Sequence, residues 1–201
     1  MGMKVVIAFD DTDNTTFEYD DKNGLKSVNV STTSSDNAED ISYGIVSNYG
    51  DCELVDSTMS MSVFLASQTF STFTVSIYND GEIVGKFFGS RSISYDIYTG
   101  VCQFDFRGLL EKLQLVNYSL KYDKQLHNAT AYTIYEKLVA ESASFVFDLD
   151  SDTKTFLQSI TIEYPYLERN TLWEQWGKLA QIAQLRIYMR ENGTVRVERY
   201  E

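Results

Sequence analysis

Between residues 4 and 107 the chain alternates apolar and polar residues in short runs. Each run is broken within a few positions by Gly, Asn or Asp. That rhythm constrains the fold more than any other feature of the sequence. Period-two alternation makes a half-buried strand, and connections this short can only join antiparallel neighbours. Strands are predicted at 4–9, 16–19, 25–30, 41–46, 52–55, 73–78, 82–88, 92–98 and 101–107, with an exposed Ser/Thr/Asp/Asn loop at 31–40. Turns fall at 21–24, Asn48-Tyr49-Gly50, Asn79-Asp80-Gly81 and Thr99-Gly100. A three-residue loop at 79–81 sets Ile77 opposite Ile83 and Phe73 opposite Phe87. In the next hairpin, pairing Tyr95 with Phe104 and Ile93 with Phe106 buries one face. At 57–67, Met59, Met61, Val63 and Leu65 alternate with Ser60, Ser62 and Phe64, as in a strand or an ordered loop. With a single proline in the chain, few edges are guarded by that residue. Closure into a barrel, or pairing with a neighbouring subunit, is the expected solution.

From residue 108 the rhythm changes. A short helical exit at 108–114 leads to a strand at 116–122, a helix at 130–142, a strand at 145–149, an acidic turn and a strand at 160–164 that Pro165 ends. The stretch 170–200 reads as one helix feeding one hairpin. Asn170 or Thr171 caps the helix start. Leu172, Trp173, Trp176, Leu179, Ala180 and Ala183 form an apolar stripe, while Glu174, Gln175, Lys178, Gln181 and Gln184 fall largely opposite. A loop of Glu191, Asn192 and Gly193 places Ile187 opposite Val197 and Met189 opposite Val195 on one face. Tyr188 then faces Arg196, and Arg186 faces Glu198. A two-residue loop would set Met189 against Arg196, so the face argument selects the longer one. Sliding 130–147 forward by 41 positions lands Thr130 on Thr171, Tyr135 on Trp176 and Val146-Phe147 on Ile187-Tyr188. Duplication and mere likeness of two amphipathic helix–strand units both remain open. The fold class expected is α+β, mainly β. An antiparallel β-barrel-like domain at 1–115 precedes a smaller α/β domain at 116–201 with two helix–strand units.

The formal net charge of −12 argues against a nucleic-acid backbone or an anionic membrane as partner, since both require a cationic surface. Cys52 and Cys102 form neither a disulfide framework nor a zinc spacing, and Cys102 runs in phase with Phe104 and Phe106 as a small core residue. No run reaches the length of a membrane span, and Val5 to Phe9 is too short for a secretion signal, so synthesis in the cytoplasm is expected. The end of the chain directly after a strand is read as the mark of a fragment of something longer.

No motif yields a catalytic, cofactor-binding or metal-binding residue. VVIAFDDTDNT, with Asp11-x-Asp13-x-Thr15, resembles the first motif of haloacid-dehalogenase-type phosphatases, in which the first Asp is the nucleophile and magnesium neutralises phosphate charge. That chemistry sits on a parallel sheet, whereas the residues that follow are antiparallel; a polar turn is the better reading. Asp148-x-Asp150-x-Asp152 resembles the start of a calcium loop, but Thr153 replaces the turn glycine and Ser159 the bidentate glutamate, so a solvated acidic turn is expected. His127 is the only histidine and is placed at the surface or at a cap. The pairs Trp173/Trp176 and Tyr132/Tyr135 have the look of sugar-stacking platforms, but their helical spacing in an apolar stripe assigns them to the core.

Three stretches taken together resemble the N-terminal part of bacteriophage tail-hub or tail-tip proteins, the baseplate-hub family. These are SNYGDCELVD at 47–56; IYNDGEIVGKFFGSRSISYD at 77–96 running into FDFRGLLEKLQ at 104–114; and TAYTIYEKLVAESASFVFD at 130–148 with TLWEQWGKLAQIAQLRIYMRENGTVRVE at 171–198. The resemblance implies a structural protein of the virion tail, without catalysis or cofactor. It implies a barrel that joins neighbours into a ring, usually a trimer, attached to the tail tube and to other tail proteins. A carbohydrate- or cell-surface-binding module is the alternative, and a magnesium-dependent phosphatase a more distant one.

Overall fold

The computed structural model describes residues 2–32, 44–67, 72–90, 93–118, 126–163 and 170–200. The chain forms two compact units, one of Met1–Thr33 with Asn48–Leu109, the other of Ser34–Ser47 with Leu110–Glu201. The loop expected at 31–40 and the end of the strand expected at 116–122 lie largely outside the described residues.

The first unit contains β1 (Met3–Phe9), β2 (Thr16–Asp20) and β3 (Leu25–Thr32). The next strand, β4 (Gly44–Val46), belongs to the second unit. The chain then returns to the first unit with β5 (Asn48–Val55), α1 (Ser60–Ser67), β6 (Thr72–Asn79), β7 (Glu82–Ser90), β8 (Ile93–Tyr95) and β9 (Val101–Gly108). Together they build an eight-stranded sheet in the order β2-β1-β6-β7-β9-β5-β3, with β8 also on β9, and every pair is antiparallel. Inward residues alternate as the pattern requires. Val5, Ile7, Phe9, Cys52, Leu54, Phe73, Val75, Ile77, Cys102, Phe104 and Phe106 fill one apolar cluster with Met61 of α1.

The sheet is mainly antiparallel, as the sequence predicts, but among the described residues it is not closed. Its outer strands β2 and β3 follow one another through 21–24 with no ladder between them among the described residues, and the isolated bridge Asp20–Gly24 lies in the turn itself. Four local expectations change. The stretch 48–50 is not a turn: it continues β5, and the residues before it pair elsewhere. Residues 60–67 form a helix, because the buried Asp56 carboxylate accepts the amides of Met61 and Ser62 at 2.8 and 3.1 Å and so caps it. The β6–β7 loop has two residues, Asp80 and Gly81, both at positive φ, so Asn79 faces Glu82. A bulge then sets Ile77 against Gly85 and Phe73 against Gly89. Ile93 faces Phe104 and Tyr95 faces Cys102, two positions from the expected pairing, because the turn 96–100 closes on itself first.

Gly89 is required where it sits. A Cβ there would run into the ring of Phe73 across the strand pair. Both residues are buried, so the ring has no free volume to move into. Gly89→Val is expected to destabilise the first unit by about 2–3 kcal/mol, read as a lower urea midpoint, whereas Gly81→Asn, in open space but at φ +88°, should cost only about 1 kcal/mol of backbone strain.

The second unit begins, after β4, with a 3-10 segment, Leu109–Leu115, matching the helical exit expected at 108–114. It continues with β10 (Asn117–Tyr118), β11 (Ala129–Thr130), α2 (Ala131–Glu141), β12 (Val146–Leu149), α3 (Ser151–Ser159), β13 (Thr161–Ile162), β14 (Asn170–Thr171), α4 (Leu172–Ala183), β15 (Leu185–Met189) and β16 (Thr194–Arg199). The main sheet is β12-β16-β15-β4, while β10 pairs with β14 and β11 with β13. Helix α3 replaces the acidic turn of the sequence reading. Asp150 caps it, accepting the Thr153 amide at 2.7 Å.

Thr171 caps α4 through a capping box, its hydroxyl accepting the Glu174 amide while Glu174 accepts the Thr171 amide at 2.9 Å. The terminal hairpin has the expected register, Ile187 on Val197 and Met189 on Val195, with Gly193 at φ 85° in the loop. Gln175 is the exception on α4. It is fully buried, and its amide donates to the Tyr118 carbonyl at 3.2 Å. The 41-residue offset maps the caps Thr130 and Thr171 onto each other, and β11 onto β14. In the strands that follow, the buried faces match at an offset of 40, with Phe145 and Phe147 answering Leu185 and Ile187. The connection after α2 is therefore one residue longer than the sequence alignment assumes.

Candidate functional site

The catalytic look-alike at 11–15 is a closed polar turn. Asp11 Oδ1 accepts the Thr15 amide at 2.7 Å and Oδ2 accepts the Thr15 hydroxyl at 2.8 Å. The Thr15 amide is the main influence that holds the Asp11 carboxyl below the usual carboxylate range. A nucleophile with both oxygens engaged in its own turn is poorly placed for attack. The strands on either side, β1 and β2, pair antiparallel rather than as parts of a parallel sheet.

The Asp-x-Asp-x-Asp segment is not a solvated turn either. Asp148 Oδ2 accepts from Arg196 at 3.1 Å and from Arg190 at 3.0 Å, and Asp150 Oδ2 accepts from Arg196 at 2.8 Å. Arg196 also donates from Nε to Glu198 at 3.4 Å, and Tyr188 donates to the same carboxylate at 3.3 Å. The Thr153 amide holds the Asp150 carboxyl below its usual range against the effect of partial burial, with the Thr153 hydroxyl and Arg196 acting in the same direction. The cation for these carboxylates is thus a side chain of β16, because parallel pairing sets Asp148 beside Arg196. Among the described residues no group of three or more His, Cys, Asp or Glu is arranged to hold a metal ion. Asp152 is exposed, and so is His127.

One member of each aromatic pair, Tyr135 and Trp176, is buried, while Tyr132 and Trp173 are half-buried. Trp176 is fully buried, stacked on Phe147 at 4.9 Å and edge-on to Tyr135 at 5.7 Å, and its Nε1 donates to Ser142 Oγ at 3.0 Å. Tyr132 stacks on Tyr135 at 5.9 Å. Cys52 and Cys102 are buried free thiols, and burial pushes Cys52 up to about 12, far from the thiolate. No described helix is long and apolar enough to cross a membrane.

What the first unit does offer is two sheet edges of different character. Among the described residues β2 and β3 each have a single strand neighbour. β2 has only five residues and carries Glu18 and Asp20. β3 has eight residues, and after the irregularity at Lys26 its last six, Ser-Val-Asn-Val-Ser-Thr, contain no charge and no proline. A short charged edge resists further pairing, while a longer uncharged one invites it. Sequence reasoning pointed to an edge problem through the lack of proline, but not to the strand that carries it. The sheet order is set by contacts far apart in the chain.

No protein-family model matches the sequence, and no curated protein matches it. Solved structures do. A tail protein from Neisseria meningitidis MC58 aligns over 98% of this chain and 50% of its own, at 13% identity and a TM-score of 0.55. The 43 kDa tail protein of prophage MuSo2 from Shewanella oneidensis aligns over 100% of this chain and 56% of its own, at 14% identity and a TM-score of 0.54. A chain of the half-lidded Francisella PdpA–VgrG complex aligns over 98% of this chain and 31% of its own, at 14% identity and a TM-score of 0.52. This chain thus spans about half the length of the two tail proteins it resembles. At such identity the likeness establishes the fold, and the fold is that of these tail proteins.

Proposed function

We propose that this chain is a structural module of a phage or prophage tail tip or baseplate hub. It joins copies of itself, as a trimer, and other tail proteins at the end of the tail tube, and it performs no catalysis of its own. The first unit acts as the hub part and the second as the appended α/β part, in a virion tail assembled from chains made in the bacterial cytoplasm. The observation that carries this reading is an open antiparallel sheet with a receptive edge at β3, in a fold shared with tail proteins. The Francisella likeness is to a chain of a PdpA–VgrG complex, which supports a role in contact with other proteins. Strand addition at β3 offers main-chain hydrogen bonds to a neighbour, while the polar outward side chains keep the free chain soluble.

The test is mass in solution by light scattering across a concentration series. A trimer or larger ring is expected at high concentration, with no magnesium-dependent phosphate release. Ser31 is exposed on β3 and lies on the opposite face from Val28, which packs on the core, so Ser31→Lys adds charge at the edge without entering the core. It should lower the mass by weakening association at least about tenfold. A chain that stays monomeric at every concentration, and binds no tail protein, would remove the proposal.

A further inference from the structure

We infer that the turn 96–100 is a rigid knob by which this protein docks against an apolar helix face of a different protein, one bordered by lysine and arginine. The inference stands apart from the tail reading and does not need it. Ile97 is 56% exposed and Tyr98 90% exposed, with Tyr95 at 37% beside them at the end of β8. Single exposed apolar residues are ordinary; these three stand together on a backbone that is held stiff. Asp96 Oδ1 accepts the Tyr98 amide at 2.8 Å and Oδ2 accepts the Thr99 hydroxyl at 2.8 Å. The Asp96 carbonyl accepts the Gly100 amide at 2.8 Å, and its own amide donates to the Val101 carbonyl at 2.9 Å. Gly100 takes φ +69°, and its carbonyl accepts the Asp56 amide at 2.8 Å, which ties the turn to the end of β5. Side chains carried on a pre-ordered turn lose little backbone freedom on binding, and tyrosine is among the residues that most often anchor an interface.

Charge identifies the partner. A string of contacts joins this turn to its neighbours in the first unit: Asp56 to Gly100, Val55 to Gly24, Met3 to Asp21 and Asp80 to Gly2. The residues along that string include Asp20, Asp21, Asp80 and Asp96, with Lys22 in the turn and Lys4 and Lys26 on the adjoining strands, so acid prevails by four to three. A second copy, itself at net charge −12, would be repelled there, whereas an apolar helix face with a basic border would be drawn to it.

The probe is a fluorescent amphipathic helix of leucine and lysine, with its leucine–glutamate counterpart as control, read by anisotropy. The intact protein should bind the leucine–lysine helix and ignore the other. Ile97→Ser with Tyr98→Ser, and Tyr98→Ser alone, should weaken binding at least about tenfold with an unchanged melting curve. Asp80→Asn, which suits the positive φ of that turn, should weaken it by about threefold. No binding by the intact protein, or equal binding by the serine variants, overturns the proposal. A loss of oligomeric mass in the serine variants would make the occupant a second copy, and serine-sensitive binding to phosphatidylcholine vesicles would make it a lipid surface. Either result also overturns it.

Discussion

Trp176→Ala is expected to remove about 4 kcal/mol from the stability of the second unit, the largest single effect of any substitution considered. The ring is fully buried, so truncation removes its transfer free energy and leaves a cavity that α2 and β12 cannot collapse to fill. It loses a stacked partner in Phe147 and an edge-on partner in Tyr135, and it leaves the Ser142 hydroxyl without its indole donor. Domains of this kind hold only about 5–15 kcal/mol in total, so the variant should unfold at much lower urea. Trp173, half-buried one residue into the same helix, is the control, and Trp173→Ala should cost less than half as much. Far-UV circular dichroism against urea reads both. A Trp176 deficit below about 1 kcal/mol would mean that the ring does not fill the core described.

Arg196→Ala is expected to cost about 2 kcal/mol at neutral pH and much less in acid. Arg196 is 17% exposed at its side chain and serves Asp148, Asp150 and Glu198, while Arg190 reaches only Asp148 of the three. Removing it leaves converging carboxylates with too little positive charge, and breaking a part-buried ion network is worse than never having built one. The partners are about a third exposed, which keeps the figure below that for a fully buried pair.

The direction with pH follows from Asp150, whose folded carboxyl lies below its ordinary value of 3.8. A depressed carboxyl contributes stability above the unfolded value and loses it as pH falls through the folded one. The wild type should therefore weaken below about pH 4. The gap to Arg196→Ala should narrow in the same range, as protonation relieves the repulsion in the variant. Urea midpoints at pH 7 and pH 3.5 measure it, and a gap independent of pH would show that Arg196 acts by packing alone.

The two substitutions also show how far the sequence could be read. Trp176 was legible as core, because its spacing with Leu172, Leu179, Ala180 and Ala183 is local and helical. The role of Arg196 was not. Asp148 and Asp150 looked like a solvated turn until β12 paired in parallel with β16, bringing in a cation 48 residues away in sequence from Asp148. Asp150 itself was a helix cap hidden inside a calcium-like pattern. Gln175 was assigned to solvent by periodicity and is instead buried, because the Tyr118 carbonyl supplies a partner that no helical wheel contains.

What the sequence determined by itself is whatever closes over a few residues. The terminal hairpin register follows from alternation plus a glycine able to take positive φ. The cap of α4 falls on Thr171, one of the two neighbouring candidates, because its hydroxyl lies three residues before the amide it accepts. The antiparallel character of the first unit follows from connections too short for a crossover. Tertiary structure decided the rest. It divided the run 44–55 at Ser47, giving Ile45 to β15 in one unit and Cys52 to β9 in the other. It made a helix of 60–67 around the buried Asp56, and among the described residues it left β2 and β3, unpaired with each other, as the outer strands of an open sheet. The physical reason is the same in each case. A strand's second partner and a buried carboxylate's donors are chosen by which arrangement satisfies the most polar groups at once, and that choice is made among residues far apart in the chain.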